Sequence, residues 1–319
     1  MWLMALFACT DPDAPTVPGD DAEVEFEVPK GATANGLGAT LVDQGFVSGA
    51  WTWKLYVRQN DLSCLKAGKF RLKKSMSLNQ LKSTLCGVPI ADEVPFTVVE
   101  GWRIRDIDEA LVAKGWIEPG EYTKVATEKA VDAPFEVPST TLEGYLWPET
   151  YSVTPEKFTA KGFAERQLGL FKTKFLDGHG TDECIAKRGL NGVVVMASML
   201  EREEPSPENR PVVAGILWKR VDAGWKLGVD ATSRYTLADW NDRKAFLTNL
   251  RDPEEPYNTR LRDGLPPTAI GNPALPSLLA ACSPQPSDWW YYLHDGQRQF
   301  HGSRDAAEHE ANRKKFDIW

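Results

Sequence analysis

Residues 193–204 read Val-Val-Val-Met-Ala-Ser-Met-Leu-Glu-Arg-Glu-Glu, eight small or apolar residues followed by a cluster of charge. A helix through this stretch is hydrophobic on every side except at Ser198, and such a helix is buried. Asn191 before the stretch is typical of an N-terminal cap, and Pro205 after it cannot continue a helix. The pattern therefore predicts a helix over residues 192–204 that lies in the core of the protein.

The first charged residue of this helix is Glu201. It shares a helical face with Ala197 and Ser198, which the same pattern buries. Partial desolvation, the helix C-terminus and the like charge of Glu204 at i+3 would all favour the protonated acid. Such an acid can act as the general acid in glycosidic-bond cleavage. We therefore interpret Glu201 as a candidate catalytic residue; the alternative is that it begins the solvated end of a core helix.

Composition and charge exclude several functional classes. The 319 residues are 42% hydrophobic, which fits about two units at roughly 100–200 residues each. A net charge of -8 argues against nucleic acid, which needs clustered Lys and Arg. The sequence has no CxxC, no HExxH and no phosphate-binding glycine loop, so we expect no metal and no cofactor. Its 12 Trp, 8 Tyr and 13 Phe fit a sugar polymer, since sugar rings stack on aromatic faces, although most aromatic residues lie in cores.

The N-terminus resembles a bacterial lipoprotein signal. Residues 1–8 are apolar and precede Cys9, and Leu-Phe-Ala-Cys resembles a lipobox, whose Cys is acylated after cleavage. Residues 10–22 are rich in Pro, Asp and Gly and predict an extended tether. We assign residues 1–22 to a signal and acidic tether, with Cys9 as the lipid attachment site. The alternative is a truncated signal or a clipped transmembrane helix, because no basic residue precedes Lys30.

Both alternatives place the rest of the chain outside the cytoplasm. An oxidising compartment makes the four remaining cysteines candidates for disulfides. Three connectivities are possible. The pairing that we expect is Cys64 with Cys86 and Cys184 with Cys282.

The rest of the chain predicts an α+β fold in two parts. Residues 23–92 predict a small α/β subdomain, either generic packing or a glycan-contacting module, and residues 93–319 predict a larger mixed domain. The smaller part has expected strands over 24–28 and 68–72 and helices over 37–45, 50–60 and 77–85. The larger part has expected strands over 95–99 and 289–293, a hairpin turn at 295–296, and helices over 106–114, 155–175, 192–204, 211–223 and 306–316, with a further helix capped by Ser277. Residues 118–133 and 141–151 are expected to be irregular.

Seven short motifs occur in one order along the chain. Residues 196–203, Met-Ala-Ser-Met-Leu-Glu-Arg-Glu, are similar to the ASxxEKE signature of the YceG-like (MltG) murein transglycosylases. The other motifs of that family are matched by Val99-Glu-Gly101, residues 143–151, 213–220, 227–230, 257–259 and 264–273. The resemblance runs from about Phe26 to Phe316, and it rests on seven motifs in register rather than on any one of them.

The resemblance implies a LysM-like subdomain over 23–92 and a YceG-like catalytic domain over 93–319. It implies endolytic cleavage of the MurNAc-β-1,4-GlcNAc bond in peptidoglycan, with 1,6-anhydro-MurNAc ends, and the family's catalytic glutamate falls on Glu201. One carboxyl group can suffice, because the MurNAc 6-hydroxyl attacks its own anomeric carbon. Binding residues concentrate in irregular segments. The substrate-binding residues that we expect are Glu143, Glu149, Asp230, Tyr257 and Asn258.

The family resemblance also implies a membrane-anchored protein that works on nascent strands beside cell-wall synthases. Its members commonly carry an N-terminal transmembrane helix, whereas residues 1–8 fall short of the ~20 residues that span a bilayer. The chain departs from the family at Gly228-Val229 (commonly Gln, then Ser or Thr), Ala231 (Pro), Thr268 (Gly), and in the spacing of Phe300 and His309. Two other readings remain open. One is a glycoside hydrolase that pairs Glu201 with a second acid such as Asp230, and the other is a non-catalytic peptidoglycan-binding lipoprotein.

Overall fold

The computed structural model describes residues 11–318, and the chain divides into two compact units between Val94 and Pro95. The fold class is α+β, as expected. Cys9 and the lipobox lie outside the described residues. Within residues 11–318, the helices are too short or too polar to cross a membrane.

The first unit is a two-stranded sheet covered by three helices. Its elements are β1 (Val24–Val28), α1 (Leu37–Asp43), α2 (Ala50–Gln59), β2 (Gly68–Leu72) and α3 (Leu78–Leu85). The strands are antiparallel with Phe26 opposite Phe70, and both rings are buried in a core that includes Trp53. Ser77 and Gln80 form the expected capping box at α3. The expected disulfide between Cys64 and Cys86 is present.

The second unit is mainly helical. Its strands are β3 (Val94–Thr97), β4 (Thr150–Val153), β5 (Tyr291–His294) and β6 (Phe300–Ser303), and they pair as β3-β4 and β5-β6. Strand β3 begins one residue earlier than expected, on the first-unit side of the boundary between the units. Its helices are α4 (Ile104–Ala113), α5 (Glu121–Glu128), α6 (Ala160–Phe171), α7 (Asp177–His179), α8 (Glu183–Arg188), α9 (Leu190–Glu203), α10 (Arg210–Asp222), α11 (Asp230–Arg234), α12 (Arg243–Asn249), α13 (Leu275–Cys282) and α14 (Ala306–Lys315). The expected hairpin at Asp295-Gly296 joins β5 to β6, and the second expected disulfide, Cys184–Cys282, links α8 to α13.

Helix α9 is the buried centre of the second unit, as its composition predicts. Every residue from Val193 to Leu200 is buried, and the helix packs against α8, α10, α11 and α13. Ser198 accepts a hydrogen bond from the backbone N–H of Ile270 at 3.0 Å, which fixes the loop before α13 to the helix. Gly144 allows a second loop to approach: a Cβ there would lie 2.6 Å from Val194 Cγ1, and its φ of +91° favours glycine. The signature helix therefore holds two of the other motif segments in place.

Several expectations about local structure are wrong, among them the Ser277 cap, because α13 begins at Leu275 with Ala274 at its N-cap position. Helix α5 lies in a segment expected to be irregular; Asp108 caps it through the backbone N–H of Gly120 and of Thr123, both at 2.9 Å. Asn191 does not cap α9, which begins one residue earlier, and its Oδ1 accepts a hydrogen bond from a tyrosine hydroxyl instead. The single helix expected over 155–175 is broken into a 3₁₀ turn, α6 and a π-helical turn over 172–176.

Candidate active site

A groove of about 1050 Å³ opens at the C-terminal end of α9. Its lining comes from α9, α10, α11, α12, β5 and α14, together with the loop before α11. Glu203, the last residue of α9, supplies an acid to this groove, whereas Glu201 does not line it. The placement of these two acids is the main feature of the site that sequence reasoning missed.

Glu203 is held at the groove by two hydrogen bonds. Its Oε1 accepts from the backbone N–H of Ala231 at 3.2 Å, and its Oε2 accepts from the hydroxyl of Tyr292 at 3.3 Å. Burial raises the pKa of the Glu203 carboxyl, and the hydrogen bond from Ala231 offsets only part of this effect. The nearby charge of Asp230 raises the pKa further. The surroundings of Glu203 therefore favour the protonated carboxyl group more than water does.

Glu201 lies in a different environment. Its carboxylate forms an ion pair with Arg210, with Nη2 and Oε1 3.0 Å apart, and accepts a hydrogen bond from the backbone N–H of Ala274 at 3.0 Å. The side chains of Glu201 and Arg210 are only 9% and 7% exposed. Both contacts hold the side chain in one position. Through these contacts Glu201 links α9 to α10 and to the start of α13.

Glu204 does not act on Glu201 as expected. Helix α9 ends at Glu203, and the backbone of Glu204 is extended, so that the i+3 relation of a continuous helix does not apply. The buried Glu204 carboxylate instead pairs with His294, with Oε2 and Nε2 2.8 Å apart. Although burial works against it, the hydrogen bond from His294 holds the pKa of Glu204 below its usual range. The same contact raises the pKa of His294.

Asp230 is the one expected binding residue that lines the groove. It is the first residue of α11 and forms an ion pair with Arg260, with Oδ1 and Nε 2.6 Å apart. Its side chain remains 43% exposed. Asp230 is therefore close enough to Glu203 to affect it and open enough to meet a ligand.

Glu143 does not line this groove. It is 1% exposed, and its carboxylate accepts hydrogen bonds from the backbone N–H of Ile104, the hydroxyl of Tyr235 and the amide of Asn272. Burial raises the pKa of Glu143 to about 7. Its contacts fix the start of α4 and two loops from inside the fold, and a role of Glu143 in saccharide binding stays a prediction.

The other three expected residues also lie outside the groove lining. Glu149 is exposed next to β4. Tyr257 is half-buried, with its hydroxyl 2.8 Å from Thr268 Oγ1. Asn258 is fully buried; its amide nitrogen donates to the carbonyl oxygen of Asn249 at 2.9 Å, so a sugar could reach it only if this loop opened.

Gly228 leaves the groove without a side chain at a position where the family commonly has Gln. Its φ of +65° lies in the region that favours glycine. The residue lines the groove, and its backbone N–H donates to the carbonyl oxygen of Thr259 at 3.0 Å. The groove is therefore open at this point, and polar contacts there come from neighbouring side chains.

The sequence profile of the YceG-like family matches residues 26–315 of this chain. The chain is 23% identical over 312 residues to the endolytic murein transglycosylase of Bacillus subtilis (strain 168), covering 92% of this chain and 84% of that protein. It is 24% identical over 327 residues to the endolytic murein transglycosylase of Streptococcus pneumoniae serotype 2 (strain D39 / NCTC 7466), covering 90% of this chain and 58% of that protein.

The fold is also similar to a solved structure. A crystal structure of a yceG-like protein from Listeria monocytogenes superposes with a TM-score of 0.60 at 23% identity, covering 92% of this chain and 99% of that chain. This likeness concerns the fold. The profile match over residues 26–315 carries the further conclusion: the chain belongs to the YceG-like family.

Proposed function

We propose that this chain is an endolytic murein transglycosylase that cleaves the MurNAc-β-1,4-GlcNAc bond and leaves 1,6-anhydro-MurNAc ends. The observation that carries the proposal is Glu203, a desolvated acid with a raised pKa at the wall of a large groove. The names of the bacterial relatives support the same reaction. A raised pKa suits a general acid, because the group must hold a proton and release it in the transition state.

The proposed reaction needs one carboxyl group in two roles. Protonated Glu203 donates its proton to the glycosidic oxygen as the bond between that oxygen and the MurNAc anomeric carbon breaks. The Glu203 carboxylate then accepts the proton of the MurNAc 6-hydroxyl, whose oxygen forms the new bond to the anomeric carbon. Tyr292 and the backbone N–H of Ala231 hold the carboxylate throughout.

We assign this role to Glu203 rather than to Glu201, on which the family's catalytic position was first placed. The family signature contains both glutamates two residues apart, so the motif alone does not separate them. The carboxylates of both glutamates accept hydrogen bonds within the fold, but Glu203 lines the groove and Glu201 does not. A general acid must come within hydrogen-bond reach of its substrate. Of the two glutamates, Glu203 is the one at the groove, where a strand could come within that distance.

The products of the reaction test the proposal. Digestion of purified sacculi by the protein, followed by mass spectrometry, should give 1,6-anhydro-MurNAc ends, because no external water enters the reaction. Reducing MurNAc ends would instead indicate hydrolysis, in which Asp230 acts as the second carboxylate; paired carboxylates in glycosidases lie about 5–9.5 Å apart. Release of no fragments by folded protein would favour the non-catalytic binding protein.

The location of the protein is a further part of the proposal. Cell-wall relatives support a place in the cell envelope. We propose that Cys9, which lies outside the described residues, carries the lipid anchor, and that the first unit contacts glycan as a LysM-like module. Cell-wall synthases remain proposed partners because the substrate is nascent glycan.

The anchor can be tested by metabolic labelling. Cells given an alkyne fatty acid should label the parent protein, and Cys9→Ser should remove the label, because the thiol is the acylated group. The amount of protein should be compared by immunoblot in the same samples. A parent protein without label, or a labelled Cys9→Ser variant, would contradict lipid attachment at Cys9.

A further inference from the structure

The groove carries an excess of positive charge. Its charged side chains are the two acids Glu203 and Asp230 and the five arginines Arg220, Arg234, Arg243, Arg260 and Arg313. The whole chain has a net charge of -8, so the excess is local to this surface. Clefts lined by one sign of charge raise the local concentration of ligands of the opposite sign.

Three of these arginines are committed to contacts within the protein. Arg220 donates to the carbonyl oxygen of Trp290 at 2.8 Å, and it also bonds to the loop before α11. Arg260 is paired with Asp230, and Arg313 with Glu310 at 3.1 Å. Arg220 thus holds backbone segments of the groove wall, and Arg260 and Arg313 neutralise neighbouring carboxylates.

Arg234 and Arg243 differ from the other three, and we call them the basic rim. Arg234 is held in place by the ring of Phe246, 3.8 Å from its guanidinium carbon, and by one hydrogen bond to the carbonyl oxygen of Trp240 at 2.8 Å. The side chain of Arg243 is exposed and has no hydrogen bond or ion pair to any residue between 11 and 318. The adjacent Asp242 uses its carboxylate to cap α12 through Ala245. Within the described residues, neither rim guanidinium has a carboxylate partner.

We propose that the basic rim binds carboxylates of the peptide stems on the strand that is cut at Glu203, so that the enzyme selects peptide-bearing murein over bare glycan. The inference rests on the proposed function. The stem leaves the strand at MurNAc, the sugar at the scissile bond, and the rim lines the same groove as Glu203. A guanidinium group can form two parallel hydrogen bonds to a carboxylate, which also carries the opposite charge. An uncharged sugar gains little binding energy from a positively charged side chain.

The experiment compares two substrates and four proteins. The substrates are glycan strands with their stems and the same strands after an amidase has removed the stems. The proteins are the full chain, Arg243→Gln, Arg243→Lys and the matched control Arg298→Gln. The control loses the same charge from an exposed position that lines neither the groove nor the depression beside Arg243. Cleavage rates are measured for each protein, and strand affinities are measured with each change in a Glu203→Gln background.

The parent should bind and cleave peptide-bearing strands better than bare strands. Arg243→Gln should reduce the preference for peptide-bearing strands about two- to fivefold, the range of one exposed ion pair. Arg243→Lys should keep more of the preference than Arg243→Gln, because the positive charge remains. Added salt should reduce the preference of the parent, because it screens the charges. Equal binding and cleavage of both substrates by the parent, or the same change in Arg298→Gln as in Arg243→Gln, would overturn the inference. The inference would also be overturned if Arg243→Gln weakened binding to anionic lipid vesicles but left the binding and cleavage of strands unchanged.

Failure of the proposed function gives a different result. The affinity measurement does not depend on turnover, so a preference for peptide-bearing strands can be seen even if no bond is cleaved. Cleavage without preference contradicts the basic rim alone, and preference without cleavage contradicts the transglycosylase alone.

Discussion

Glu203→Gln should lower the rate of glycan cleavage by about 10²–10⁴-fold, the usual contribution of a general acid–base group. The amide keeps the volume of the side chain, but it can neither donate the acid proton nor accept a proton as a carboxylate. The melting temperature should hold or rise, because a neutral group replaces a desolvated carboxyl group. The measurement is the initial rate of fragment release from sacculi, with the melting temperature as the control for folding.

The variant should also still bind strands, because the groove around Glu203 is unchanged. Loss of binding together with loss of cleavage would indicate that Glu203 positions the strand rather than reacts. Cleavage at the rate of the parent would show that Glu203 takes no part in the reaction.

Arg210→Met should destabilise the second unit by about 3–5 kcal/mol, the usual cost of removing one partner of a buried ion pair. The Glu201 carboxylate would then be left buried without its counter-charge. Arg210 also donates from Nε to the carbonyl oxygen of Glu204 at 2.9 Å, so the end of α9 would lose a contact as well. For a unit of this size the melting temperature should fall by about 6–20 °C.

Two control variants separate this effect from a general loss of charge. Lys161→Met removes the cation of an exposed pair with Asp132, whose side chains are 51% and 88% exposed, and should leave the melting temperature nearly unchanged. The double variant Glu201→Met/Arg210→Met should recover part of the loss, because no buried charge remains. Equal melting temperatures for Arg210→Met and Lys161→Met would contradict the structural role given to the Glu201–Arg210 pair.

The sequence was sufficient to predict α9 and its burial, because a helix that is apolar on every side has only one stable environment. The apolar surface on every side of the helix also makes the site difficult to predict from sequence. When every face of a helix is buried, periodicity cannot tell which of Glu201 and Glu203 faces a groove. That choice depends on Arg210, Ala274, Ala231 and Tyr292, which come from later segments of the chain.

The expected effect of the Glu204 charge on Glu201 is wrong for a related reason. It placed Glu204 one helical turn beyond Glu201 by assuming that the helix continues, but α9 ends at Glu203 and Glu204 turns to His294. The ends of elements are set by tertiary contacts that local patterns do not contain. The missed helix α5 is another case, since its cap is the carboxylate of Asp108 from the preceding helix.

The expected binding residues show the same limit. Glu143, Asp230 and Asn258 all lie in motif segments outside the long helices, yet Asp230 alone of the three lines the groove. Glu143 and Asn258 hold loops together from the inside. A polar residue in a motif can serve the backbone as well as a substrate, and sequence does not separate the two roles.

The most direct test compares Glu201→Gln with Glu203→Gln at equal concentrations of folded protein. Fragments released from sacculi are identified by mass spectrometry, and the melting temperature of each variant is recorded. We expect Glu203→Gln to keep its stability and release no fragments above the blank. We expect Glu201→Gln to lose stability, while its folded fraction still releases fragments with 1,6-anhydro-MurNAc ends. A folded but inactive Glu201→Gln beside an active Glu203→Gln would contradict the assignment of the catalytic acid to Glu203.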